Sequence, residues 1–218
     1  MPVAPERAPL AADAANGGQA LLIIDMISPW DFRDADKLAT GAAAIAPRIA
    51  ALKRRCDRAG VPTIYVNDNH GHWHSDFREL VHLSMQRSDG PGRAIGEILG
   101  PRPEDYSVLK PKHSAFFATP LDLLLRHLRV RTLLLTGVAT DQCIVMSASD
   151  AHMRDYDVVV PEDCVAAQTG ERSRRALDYL RDAQKTRTTM SARVRLPGRP
   201  GAGRGAGKSA APARAVSR

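Results

Sequence analysis

Residues 133–143 read LLLTGVATDQC. Three leucines and a threonine run into Gly137, a small polar cluster follows, and a cysteine closes the stretch. The apolar run predicts a buried strand over 131–138. Thr140 then reads as a helix cap, which places Asp141, Gln142 and Cys143 in the first turn of a helix over 140–154, with Ile144, Ala148 and Ala151 on one stripe. First-turn N–H groups have no intrahelical partner and carry the positive end of the helix dipole. A thiol there has its thiolate favoured, and the same N–H groups can receive an oxyanion. The competing reading is a small buried hydrophobe packed beneath the helix. Position alone leaves both open.

Working outward, the same handover from strand to helix recurs along the chain. QALLIIDM (19–26) and PTIYVND (62–68) are short apolar runs that each close on an acid. YSVLKP (106–111) contains a strand that reaches a lysine, and YDVVVPED (156–163) a further strand; a weak last strand is expected near 188–195. Between them lie helices over 38–59 (Ala42, Ile45, Ile49 and Leu52 at helical spacing, stopped by Gly60 and Pro62), 119–128 (Thr119 cap, Pro120 at the first position) and 170–185 (Ala176, Leu177, Leu180 and Ala183 inward). Two short helices are expected within 69–106. Alternating strands and helices predict an α/β fold of the three-layer α/β/α, Rossmann-like kind: a mostly parallel sheet with helices on both faces. Ligands in such folds sit beyond the carboxyl ends of the strands. Asp25, Asp68, Lys110 and the Cys143 region all fall there. Alone, Asp25 reads equally as a structural carboxylate and Lys110 as a solvated or snorkelling lysine. Together, an acid can take a thiol proton and a lysine can keep that acid ionised and in place.

On these residues the chain resembles the isochorismatase-like cysteine hydrolases. The matching stretches are LLIIDM around Asp25, VLKPKHSAFFATPLDLLL around Lys110, and LLLTGVATDQCIVMSASDAHMRDYDVVVPEDCVAA around Cys143. The resemblance implies a six-stranded sheet and an Asp25–Lys110–Cys143 triad that hydrolyses amides and related C–N bonds through a thioester. It also implies a non-proline cis peptide between Val138 and Ala139, an oxyanion hole built from the Ala139 and Cys143 N–H groups, and a homo-oligomer. No cofactor is expected. An isochorismatase-type vinyl-ether hydrolase is the alternative, but such relatives usually lack the cysteine. A non-catalytic binding protein of the same fold is another. A nucleophile-elbow hydrolase is argued against by the missing Gly-x-Cys-x-Gly turn.

NDNHGHWHSDF (67–77) brings His70, His72 and His74 near Asp68. Alternate residues of an extended segment share a face, so three imidazoles could meet a metal. Asp68-Asn69-His70 matches the Asp-x-His pair of metal-dependent nicotinamidases, but the remaining ligand pattern is not clearly present, so no metal is expected. Trp30, Asn69, Trp73 and Phe116 are the expected pocket walls.

The composition, 44% hydrophobic and 25% charged, is that of a globular domain, expected over 19–195, preceded by a flexible extension over 1–18. The net charge of +7 resides in residues 191–218, which hold seven Lys or Arg and no Asp or Glu. Their Gly/Ala/Pro/Arg-rich portion, 196–218, is expected to be a disordered basic tail. Weak, salt-sensitive contact with nucleic acid is a conceivable role for it, but no aromatic residue interleaves with the arginines. No apolar run approaches the length of a membrane span, and the N-terminus has no signal-peptide layout. Cys56, Cys143 and Cys164 are odd in number and widely spaced, which suits free thiols in a reducing, cytoplasmic compartment. The expected partner is a small amide-type substrate.

Overall fold

The computed structural model describes residues 18–69, 71, 73, 76–86 and 90–198. The strand β1 (Gly18–Ile24) explains why its sequence is apolar without alternation. Leu21 and Ile23 enter one core cluster, while Ala20, Leu22 and Ile24 enter another on the opposite face of the sheet. A strand covered on both faces has no side left for polar residues. The same division holds in β2 (Thr63–Asp68), where Tyr65 joins the first cluster and Ile64 and Val66 the second.

The remaining strands are β3 (Tyr106–Lys110), β4 (Val130–Val138), β5 (Asp157–Pro161), β6 (Val165–Ala166) and β7 (Arg187–Thr189). The main path runs β3-β2-β1-β4-β5-β7, six strands hydrogen-bonded in series, and the two-residue β6 pairs with β4 beside it. All pairings are parallel. The six-stranded expectation therefore describes this path, and β6 makes a seventh strand too short to leave a periodicity.

The helices α1 (Ala35–Ala59), α2 (Phe77–Gln86) and α3 (Pro91–Leu99) serve the first cluster. The second cluster is covered by α4 (Leu121–His127), α5 (Val145–His152) and α6 (Gly170–Asp182). The α1 stripe Ala42, Ile45, Ile49 and Leu52 is buried as its spacing requires, and the helix stops at Gly60 with φ 71°. In α6, Ala176 and Leu180 are buried and Leu177 packs against the second cluster, but Ala183 lies past the helix and is exposed. After β7 the chain stays on the body. Arg55 donates to the Ser191 and Val194 carbonyls, and Leu196 packs against the first cluster. The expected N-terminal extension and most of the basic tail lie outside the described residues.

Sequence order reverses between β1 and β4, since β2 and β3 continue to one side and β5 and β7 to the other. Such a reversal opens a crevice beyond the carboxyl ends of the two central strands. Asp25 and the segment reaching Cys143 leave the sheet at that point.

Candidate active site

Lys110 is the last residue of β3 and has no exposed surface. Its Nζ lies 2.9 Å from Asp25 Oδ2, 3.2 Å from Asp68 Oδ2 and 3.6 Å from Cys143 Sγ. Burial pulls the ammonium's pKa down, but the Asp25 charge, the Cys143 sulfur at the high pH where it ionises, and the Asp68 charge outweigh it, and the net shift is upward. The backbone of Asp25 is left-handed, φ 53°, and its Oδ1 accepts the Asp68 N–H at 2.8 Å. That second bond fixes the carboxylate so that Oδ2 faces Lys110. The sheet thus brings Asp25, Lys110 and Cys143 together from three strand ends. Asp68, expected at the same sheet edge, shares the ammonium.

The route to Cys143 differs from the expected first turn of an α-helix. Residues Thr140–Ile144 form one π-helical turn, which α5 continues. The Ala139 carbonyl accepts from Ile144 N at 3.2 Å, five residues on, and from Gln142 N at 3.1 Å. Thr140 does not cap the turn; its hydroxyl pairs with Ser173 Oγ at 2.8 Å. Arg172 grips Asp141 at 2.5 Å, so α6 clamps the turn from outside. Just before it, the Val138–Ala139 peptide is cis. At Gly137, φ is 108° and a Cβ would stand 2.0 Å from the Ile24 carbonyl oxygen, so only glycine lets β4 run this close to β1 here.

The expected thiolate is not the resting state. Cys143 is 7% exposed, and its pKa is raised, first by burial and then by the Asp25 charge and a hydrogen bond to that carboxylate. Lys110 and a hydrogen bond from the Ala139 backbone oppose the rise without cancelling it. One helical turn is a weaker influence than a carboxylate in contact. The sulfur therefore holds its proton against Asp25, the group placed to take it.

Cys143 opens onto a cavity of about 220 Å³ whose lining includes Trp30, Phe32, Leu38, Asn67, His113 and Gln142. Of the expected walls, Trp30 is in place. Phe116 is not: it is buried in the second cluster against Tyr156, with ring centroids 5.9 Å apart. Trp73 is 76% exposed, and neither it nor Asn69 is among the residues lining the cavity. His70, His72 and His74 lie outside the described residues. Sequence reasoning missed His113, whose Nδ1 is 3.8 Å from the sulfur. Ser114 bonds to Asp150, and Ala115 N donates to Ser147 Oγ at 3.0 Å, so α5 holds the loop that presents it. Its place three residues beyond Lys110, at the same sheet edge, was the available signal.

The family model of the isochorismatase domain matches residues 19–193. The uncharacterized isochorismatase family protein YaaI of Bacillus subtilis is 35% identical over 166 residues, covering 76% of this chain and 90% of its own. A ureidoacrylate amidohydrolase, RutB of Methylorubrum extorquens, is 28% identical over 189 residues, covering 75% and 74%. The crystal structure of an isochorismatase family protein from Desulfovibrio vulgaris superposes with a TM-score of 0.67 at 29% identity, over 81% of this chain and 96% of that one.

Proposed function

Because this chain belongs to the isochorismatase family, we propose that it hydrolyses a C–N bond, other than a peptide bond, in a small amide-type substrate, with Cys143 as nucleophile, Asp25 as base and acid, and Lys110 as their fixed counter-charge. The observation that carries this reading is the fully buried Lys110 ammonium touching both the Asp25 carboxylate and the Cys143 sulfur, two residues that line one cavity. The kinship with an amidohydrolase supports the bond type.

In the proposed cycle Asp25 takes the Cys143 proton as the sulfur bonds to the substrate carbonyl carbon. The carbonyl electron pair moves to oxygen, and the backbone N–H groups of Ala139 and Cys143 receive that oxyanion. Collapse breaks the C–N bond; Asp25 returns its proton to the departing nitrogen, leaving a thioester. Asp25 then takes a proton from water as the water oxygen attacks. The second collapse expels the sulfur, which recovers its proton. One carboxyl serves as base and acid in turn. The Lys110 ammonium is the cation shared by the Asp25 and Asp68 carboxylates, and no metal enters the proposed cycle.

Ammonia release across a panel of small amides and ureides tests this. At least one member should be turned over, EDTA should leave the rate unchanged, and Cys143→Ala should lower it by about 10³-fold or more. Full activity in Cys143→Ala would end the proposal.

A further inference from the structure

The proposed cycle uses the Asp25 and Lys110 side chains beside Cys143 and leaves a third, His113, without a part. The residue as a whole is exposed and lines the cavity, yet its Nδ1 lies 3.8 Å from a sulfur that is 7% exposed. That separation would be long between nitrogen and oxygen. Sulfur is the larger atom, and catalytic hydrogen bonds often tighten only once substrate is bound.

One support sets the separation. Cys143 lies in the π turn that α5 continues. The two residues after His113 are bonded to that same helix: Ser114 Oγ donates to Asp150, and Ala115 N donates to Ser147 Oγ at 3.0 Å. Arg154 completes the anchor, pairing with Asp150 at 2.9 Å and lying 5.0 Å over the Phe116 ring. The element that bears the sulfur therefore also carries the histidine.

The proton inventory gives the direction of the contact. The thiol has one proton, and its hydrogen bond goes to the Asp25 carboxylate. Toward His113 the sulfur offers only lone pairs, so the complementary ring tautomer carries its hydrogen on Nδ1 and leaves Nε2 bare.

We infer that His113 is a further catalytic residue, whose Nδ1–H donates to the Cys143 sulfur and steadies the negative charge that sulfur gathers when it attacks and again when it is expelled. In the attack the S–H bond breaks, its proton passes to Asp25, and its electron pair forms the S–C bond. In the second collapse that pair returns to sulfur, which takes its proton back from Asp25. His113 keeps its own proton throughout. This inference deepens the amide-hydrolase reading and rests on it for the reaction.

The test reads the ring directly. In protein labelled with ¹⁵N-histidine, the ring nitrogens of His113, assigned by their loss in His113→Asn, distinguish the tautomers. At about pH 8.5, above the ordinary histidine range, the hydrogen should reside on Nδ1 in the unmutated protein and move to Nε2 in Cys143→Ala. Iodoacetamide then probes the sulfur, with peptide mass spectrometry locating the alkylated Cys143. His113→Leu should slow alkylation about 3–10-fold, because losing one donor lowers the thiolate fraction by about 10–100-fold while the more basic sulfur is the better nucleophile. His113→Asn, whose Nδ2 stands where Nδ1 stood, should hold the rate within about twofold. A hydrogen on Nε2 in the unmutated protein, a tautomer indifferent to Cys143→Ala, or His113→Leu alkylated as fast as the unmutated protein overturns the donor. So does His113→Asn as slow as His113→Leu. The ring readout needs no folded His113→Leu. Turnover is read separately: on any amide the protein hydrolyses, His113→Leu should lower kcat about tenfold with KM little changed, and His113→Asn should restore it. Ring and alkylation results as expected with no amide turned over sink the hydrolase reading and leave the donor, whereas turnover that His113→Leu does not slow does the reverse.

Discussion

Lys110 is a cation with no surface, so its neighbours decide whether it can exist there. Two carboxylates and a sulfur within 3.6 Å supply what water would have given. Replacing it with methionine keeps the bulk and strands Asp25 and Asp68 side by side. Lys110→Met should lose activity by about 10²–10³-fold and stability by about 2–3 kcal/mol, less than a sealed ion pair costs because both carboxylates reach solvent. Ammonia release and urea unfolding measure the two effects. At this scale the sequence was informative where chemistry is scarce: an acid or a lysine at the end of an apolar strand has few reasons to be there. Aromatic residues carry no such signal. Phe116 and Trp30 looked alike in the sequence, yet the loop after β3 turns one into the core and the left-handed backbone at the other points it to the cavity.

Between elements, β4 meets β1 at Gly137 with no room for a side chain. Gly137→Ala should cost about 3 kcal/mol, a fall in thermal midpoint of roughly 6–12 °C, because neither Ile24 nor the left-handed φ can yield. Differential scanning calorimetry measures it. The packing of α1 against the turn before β6 buries Cys56 and Cys164 in the same cluster. Burial raises both thiols from 9.0 to about 12. Between those values the folded protein keeps protons that the unfolded chain has released, so the contribution of these two thiols to stability should be constant below about pH 9 and fall as pH rises toward 12, by at most ~1.4 kcal/mol per pH unit for each thiol. Urea midpoints from pH 8 to 11 should fall less steeply in Cys56→Ala/Cys164→Ala. Element types and order were legible, since a strand covered on both faces and an amphipathic helix leave different patterns. The π turn was not, because a single widened turn has no period of its own, and β6 was too short to have one.

Across the whole molecule, charge and structure are separable. Residues 199–218 carry five of the basic residues and no acid, so a chain ending at 198 falls from +7 to +2. We propose that this segment is an accessory. Its removal should leave ammonia release unchanged and weaken retention on a cation-exchange column, and a loss of turnover would count against that division. The described body itself has no helix long and apolar enough to cross a membrane. Topology was legible as far as parallel strands and right-handed crossovers dictate it, whereas which loop side chains meet over the cavity depends on distances that no local pattern encodes. The acid leaves β1, the ammonium ends β3 and the sulfur follows β4. A polypeptide cut between β2 and β3 would therefore yield one piece holding the acid and another holding the ammonium and the sulfur, each inert. Only mutual annealing of the halves along the β2–β3 and β1–β4 ladders would restore turnover, which makes the architecture a ready-made complementation reporter with no background from either half.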